Sequence, residues 1–287
     1  MSEHCHLFPI IRMCHVLEVS ENGYYNWRKR GKSQRKQDDE QLTERIKDAY
    51  NDNRGVYGIP RIHAELKEQG IHCGRKRIAR LMREKGINAE RKRRKARTTD
   101  SRHDSPIAPN LLSRDFTADA PNKKWLTDMT FIATREGWLY LAGVLDAYSR
   151  KVIGWAMGKE HDAELVKEAL QMALLQRQPR AGLVHHSDRG SEYASKSYQA
   201  MLHQHNIQMS MSKKGDCYDN APMESFWGTL KEEGVGKDVF PSRKEAKTVI
   251  FDYIEVFYNR KRKHSSLGYL SPVDFEKQGE QREKDLS

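Results

Sequence analysis

The chain has 287 residues, enough for one large domain or two to three modest ones with their own cores. Apolar residues make up 37% and charged residues 32%, so a core must be confined to part of the chain. No apolar run approaches membrane-spanning length and no signal peptide opens the chain, which predicts a cytoplasmic protein. The net charge of +11 is unevenly placed: residues 1–100 carry 24 Lys and Arg against 14 Asp and Glu, whereas residues 101–287 carry 27 against 26. A basic excess held in one third of a chain is the footprint of nucleic-acid binding, since a solubility effect would spread it evenly.

Cys5, Cys14, Cys73 and Cys217 form no CxxC pair and no disulfide framework, as suits a reducing interior. The cluster His4, Cys5, His6, Cys14 and His15 fits no common zinc-finger spacing. LFPIIRMCHVLEV reads instead as an amphipathic helix in which these side chains pack. Residues 7–30 predict two short helices, the second capped by Ser20, in an N-terminal segment over 1–35. Lys32 to Gln37 reads as a basic linker.

Residues 39–90 predict further helices. Leu42, Ile46 and Ala49 recur at helical spacing, and Pro60 opens a helix that Gly70 ends. RKRIARLMREKG follows, with Ile78, Leu81 and Met82 on one face and Arg75, Lys76, Arg77, Arg80 and Arg83 around it. A short Gly-containing turn before a strongly basic helix fits a DNA-binding helix-turn-helix. A basic linker follows over 91–120. Its RKRRKAR run (Arg91, Lys92, Arg93, Arg94 and onward) is suited to lie along phosphates, giving affinity without sequence information.

Residues 121–235 change character. WLTDMTFIATRE, WLYLAGVLDAYS and KVIGWAMGK are strand-like, with tight connections marked by Gly137 and Arg150. A helix over 162–177, a strand over 182–187, a helix over 195–205, a strand over 207–212 and a helix near 220–233 complete the order β-β-β-α-β-α-β-α. This predicts an α/β ribonuclease-H-like core, a mixed five-stranded sheet flanked by helices, behind all-α helix-turn-helix modules. A long helix near 242–260 and a polar tail fill residues 236–287.

Three acids occupy distinctive places. Asp128 lies inside the first strand, where an unpaired carboxylate is costly. Asp188 directly follows the fourth strand, and Glu224 lies on the late helix, with 35 residues between it and Asp188. In a sheet of this type the first and fourth strands are neighbours, so the three carboxylates converge. They could then hold hard cations for in-line displacement at phosphorus. The spacing alone is weak among 40 acidic residues; the elements that carry the acids sharpen it. Asp146, at the end of the second strand, is placed to orient the site or to bond Ser149 or Arg150. Asp219 and Asn220 read as caps of the late helix, with Asn220 also able to support the site. Lys231 lies seven positions after Glu224, only about 20° away around an α-helix, and so faces the same cleft.

WLTDMT, GWLYLAGVLDAYSRKVIGW, HHSDRGSEY, SMSKKGDCYDNAPMESFWGTLKEE and YNRKRKHSSLGYLSP resemble the retroviral-integrase-type core of insertion-sequence transposases. They resemble specifically the OrfB product of the insertion-sequence-three family; VYGIPRIHAELKEQG and RIARLMREKGI resemble that family's helix-turn-helix. The resemblance covers about residues 10–276. It implies that Asp128, Asp188 and Glu224 bind Mg²⁺ or Mn²⁺, as two ions, and that Lys231 contacts the DNA end. It implies nicking at each element end, followed by direct attack of the freed 3′-hydroxyl, with excision as a circle before integration. It implies partners too: element-end and target DNA, further copies of the chain, and an OrfA-type helix-turn-helix and leucine-zipper protein joined by frameshifting. A non-catalytic DNA-binding regulator, a purely hydrolytic nuclease and an inactive relic of the family are the competing readings.

Overall fold

The computed structural model describes residues 1–89, 107–213, 217–236 and 239–286. It divides into two compact units, Met1–Ala89 and Glu90–Ser287.

The first unit is helical: α1 (Ile10–Val16), α2 (Glu21–Lys29), α3 (Gln34–Asp52), α4 (Ile59–Glu68) and α5 (Arg75–Glu84). Ser20 caps α2 by accepting from Gly23 N at 3.0 Å. Ser33 accepts from Lys36 N, so α3 starts inside the stretch expected to be a linker. Leu42, Ile46 and Ala49 of α3, Ile62 and Leu66 of α4, and Ile78, Leu81 and Met82 of α5 are buried, the one-sided burial that a 3.6-residue period requires. Gly70, in the left-handed region at φ +78°, turns the chain after α4, and Ile71 N closes the helix end on Leu66 O.

The second unit contains one five-stranded sheet. Its strands are β1 (Lys124–Thr134), β2 (Gly137–Asp146), β3 (Val152–Gly158), β4 (Val184–Ser187) and β5 (Gln208–Met211), in the order β3-β2-β1-β4-β5. β1–β2 and β2–β3 pair antiparallel, β1–β4 and β4–β5 parallel. This mixed order is that of the ribonuclease-H-like fold. α6 (Ala163–Arg177), capped by Asp162, packs on one face through Leu165, Val166, Ala169, Leu170 and Ala173. The helix comes so close at Gly154 of β3 that a Cβ there would lie 2.3 Å from Ala169 O. α7 (Lys196–Gln204) links β4 to β5. On the opposite side of the sheet, α8 (Ala221–Thr229) sets Trp227 against Gly143 of β2.

Four expectations change. α8 widens at Leu230 into a π-helical segment reaching Val235, and α9 (Arg243–Phe251) does the same over Asp252–Tyr258. Neither is a plain α-helix to its end. A buried pair bridges the first π segment to the downstream chain: Arg262 Nε and Nη2 bond the two Glu233 oxygens at 2.6 and 2.8 Å, and Tyr253 Oη donates to Glu233 at 3.0 Å. The polar tail is helical, as α10 (Pro272–Leu286). Its buried Glu276 accepts from Ser149 Oγ at 2.7 Å and Arg177 Nη2 at 2.5 Å, and pairs with Lys151 at 3.2 Å. These partners lie 99 to 127 residues away in sequence, so composition could not reveal them. The part of the expected linker from residue 107 onward packs on the sheet unit: Leu112 is buried and Leu111 N donates to Ser210 Oγ. Among the described residues no helix is long and apolar enough to cross a membrane.

Candidate active site

β4 pairs with β1 only from Lys124 to Leu126 and stops at Ser187. Beyond Leu126, the β4-facing edge of β1 is therefore open. Such a break at the carboxyl end of a parallel strand is where α/β sheets admit ligands. A cavity of about 440 Å³ lies there, walled by Asp128, Phe131, Trp138, Tyr140, Asp188 and Glu192 among others.

Asp128 is half-buried in this wall. Both its oxygens are fixed: Oδ1 accepts from Met129 N at 2.8 Å and Oδ2 from the Trp227 indole Nε1 at 3.0 Å. Burial raises its carboxyl well above the ordinary range, and the negative charge of Asp188 adds to the rise. The two N–H donors oppose this, and Glu224 contributes a smaller upward push. The three acids thus share one electrostatic field although β1, the end of β4 and α8 supply them separately. Asp188, also half-buried, accepts from Gly190 N at 2.9 Å. Glu224 is more exposed on α8, its carboxyl lifted by partial burial. Among the described residues, no three His, Cys, Asp or Glu side chains are grouped so as to hold a metal ion; of the neighbouring charges, that of Asp188 acts most strongly on Asp128.

Two buried histidines brace the strand that ends at Asp188. His186 Nδ1 pairs with Ser210 Oγ and Nε2 with Asp219 O, both at 2.8 Å, and His185 Nε2 pairs with Tyr198 Oη at 2.9 Å. Burial lowers both imidazole pKa values, that of His185 to about 3, so both stay neutral.

The other expected residues are distributed as follows. Lys231 is half-buried, its Nζ 5.2 Å from the Phe131 ring centroid. Burial lowers its pKa while the charge of Asp128 pulls it back up, so this ammonium lies within the field of Asp128. Asn220 makes no side-chain cap on α8; its Nδ2 crosses to Thr127 O at 2.9 Å, beside Asp128, and its buried Oδ1 has no partner among the described residues. Asp219 is no cap either: it accepts from Asn110 Nδ2, Lys213 N and Arg114 Nε. Asp146 is fully buried opposite Trp125, three register positions from Asp128. Its oxygens accept from the backbone N–H groups of Asn122 and Tyr148 rather than from Ser149 or Arg150 side chains, and its carboxyl is pushed up to about 6, chiefly by burial. In the helical unit Arg75 and Lys76 are exposed. Arg77 and Arg80 instead bind Asp39 of α3 at 2.6 and 2.5 Å, and Arg80 also binds Glu84. Arg91, Lys92, Arg93 and Arg94 lie outside the described residues.

Sequence reasoning missed Trp227, which orients Asp128, and the cavity residues Glu192, Trp138 and Phe131. Glu192 is buried and lies 3.6 Å from His161 Nε2. It stood in plain view in HHSDRGSEY, but nothing in that string separates a cavity carboxylate from a helix-start acid. The aromatic residues read only as strand and core formers.

Known proteins resemble this chain in sequence. The integrase core domain family matches residues 118–217 and, through a second model, 205–272; the HTH-like domain family matches residues 36–95. An insertion element IS600 protein of 31 kDa from Shigella sonnei is 51% identical over 263 residues, covering 92% of this chain and 97% of the relative. Transposase InsF of insertion sequence IS3A from Escherichia coli K12 is 43% identical over 271 residues, 94% of each chain. The chain belongs to the IS3 family of transposases. It is therefore an enzyme of the polynucleotidyl-transferase type, acting in DNA transposition, with an integrase core and an HTH-like domain. Among solved structures, the HTLV-2 integrase catalytic core domain in complex with magnesium is 15% identical with a TM-score of 0.43, covering 55% of this chain and 99% of that one.

Proposed function

We propose that this transposase cuts and joins DNA strands at the ends of its insertion sequence, using Asp128, Asp188 and Glu224 as an acidic triad for two Mg²⁺ or Mn²⁺ ions. The observation that carries the reading is a cavity at the open edge of β1 lined by both Asp128 and Asp188, where the charge of Asp188 and, more weakly, that of Glu224 raise the Asp128 carboxyl. The donor set fits hard divalent cations. It offers only carboxylate oxygens, which suit ions that keep several waters, and half-buried Asp128 lies near like charges that a cation would neutralise. When bound, such ions activate the attacking oxygen and stabilise the leaving oxygen of an in-line displacement.

The chain's own residues do the rest. Trp227 and Met129 N hold the Asp128 carboxylate in one orientation. His185 and His186 fix the strand end that delivers Asp188. Lys231 meets a DNA phosphate at the cavity. The helical unit grips DNA through exposed cations such as Arg75 and Lys76, while Arg77 and Arg80 serve chiefly to fasten α5 to α3. Family resemblance adds the remaining partners: further copies of the chain on DNA, and an OrfA-type protein or its frameshift fusion.

The test is incubation of the full chain, and of its fusion form, with labelled element ends and Mg²⁺. Joined strands distinguish transfer from the hydrolysed ends of a simple nuclease. Asp128→Asn, Asp188→Asn and Glu224→Gln should each abolish cleavage and joining with little change in DNA affinity. Near-normal joining by any one of them would remove that residue from the triad.

A further inference from the structure

The cavity beside Asp128 has a second kind of wall. Trp138 is the first residue after the Gly137 turn, and half of its surface is exposed. Phe131 backs it edge to face, with ring centroids 4.7 Å apart and planes at 71°. The ammonium of Lys231 lies over that same Phe131 ring. Acids, a cation and a half-open indole thus line or border one cavity.

The backbone of the turn that carries the indole is also held in place. Arg243 of α9 donates from Nε to Trp138 O at 3.0 Å and from its backbone N to Glu136 at 2.8 Å, and Thr134 Oγ1 closes the turn on Gly137 O at 2.6 Å. A large aromatic surface left open to water on a clamped turn gains little from folding. It has paid its ordering cost in advance, which is what a recognition surface needs.

We propose that Trp138, backed by Phe131, is a stacking platform for one unpaired base of the DNA strand that reacts at the acidic triad. This rests on the reading of the triad as the strand-transfer centre. The ligand chemistry follows from the neighbours: a flat π-system must stack on the indole, while a linked phosphate lies between the carboxylates and Lys231. A nucleotide meets both demands. A base inside a duplex has both faces covered by its neighbours, so only a base released from pairing can offer its face to Trp138. Stacking is tolerant of base identity, because every base has such a face. The platform would hold the end open without reading its sequence.

The test pairs protein and DNA lesions. End-joining by the full chain with Mg²⁺ is measured on duplexes carrying the end of the insertion sequence, each with a single abasic site at one of the terminal positions of either strand. At one position the wild type should lose about tenfold, the scale of one base–aromatic stack. Trp138→Ala should lose a similar factor on intact DNA and lose nothing further on that abasic duplex, while Trp138→Phe keeps most of the rate. The proposal is overturned if the two losses multiply at every position, or if Trp138→Ala joins intact ends normally. Should Trp138→Ala fail to fold, the wild type decides: 5-iodouracil at the sensitive position should photocrosslink to Trp138, and crosslinking elsewhere or none refutes the platform. Retained joining by Asp128→Asn is a separate result, which would displace the triad itself.

Discussion

The bond from Trp227 to Asp128 gives the sharpest handle on how this transposase prepares its site. Asp128 has two pinned oxygens, one held by its neighbour's backbone N–H at 2.8 Å and the other by an indole N–H at 3.0 Å. Trp227→Phe keeps an aromatic ring next to Gly143 but removes the second donor, freeing the carboxylate to rotate about its last torsion. A hydrogen bond to a charged group contributes about 1.5–3 kcal/mol, and loss of the groups that orient metal ligands costs about 10- to 100-fold in affinity or activity. The two scales agree, since about 1.4 kcal/mol is tenfold. End-joining measured against Mg²⁺ concentration should therefore fall 10- to 100-fold at limiting metal and recover in part at saturation. DNA affinity without Mg²⁺ should be unchanged. A thermal melt run alongside separates this from general destabilisation, because the truncated indole is itself a core group. An unaltered Mg²⁺ dependence would refute the argument that Trp227 positions Asp128.

Three further outcomes follow from the same geometry. Lys231→Ala should raise the DNA concentration needed for half-maximal joining about tenfold, one charge-assisted contact, and Lys231→Arg should keep part of the activity; an alanine variant with unchanged DNA dependence would make Lys231 a packing residue on Phe131. Asp146, raised from 3.8 to about 6, favours its protonated form in the folded state. Its stabilising contribution is therefore complete below about pH 4 and lost as pH rises through 6, about 3 kcal/mol at roughly 1.4 per unit. The stability difference between wild type and Asp146→Asn, from urea melts, should shift by that amount between pH 4 and 7, and parallel curves would contradict it. Gly154→Ala would set a methyl 2.3 Å from Ala169 O and 2.8 Å from Ala173; forcing β3 and α6 apart should cost about 1–3 kcal/mol by the same melts, and a neutral result would mean the helix yields freely.

Much of this protein is written in local pattern. The strand runs, the helix periods, the caps at Ser20 and Asp162 and the order of elements are all short-range signals, because backbone hydrogen bonding and side-chain periodicity act within a few residues. The order alone makes β1 and β4 neighbours and so brings Asp128 and Asp188 together. Other features depended on partners far apart in the chain. The pairing of Arg77 and Arg80 with Asp39, within 2.6 Å, depends on α3 being brought alongside α5. That the Asp146 oxygens meet the N–H groups of Asn122 and Tyr148, rather than the Ser149 or Arg150 side chains, also needed the packed chain. The tail read only as polar until Glu276 found Arg177, and Trp138 read only as a strand former until the fold left half of it exposed beside the cavity. A charge or a ring has the same sequence letter whether it faces water, a counter-ion or a cavity. Which of these it meets is set by the desolvation and pairing energies of the packed whole, and only tertiary structure decides that.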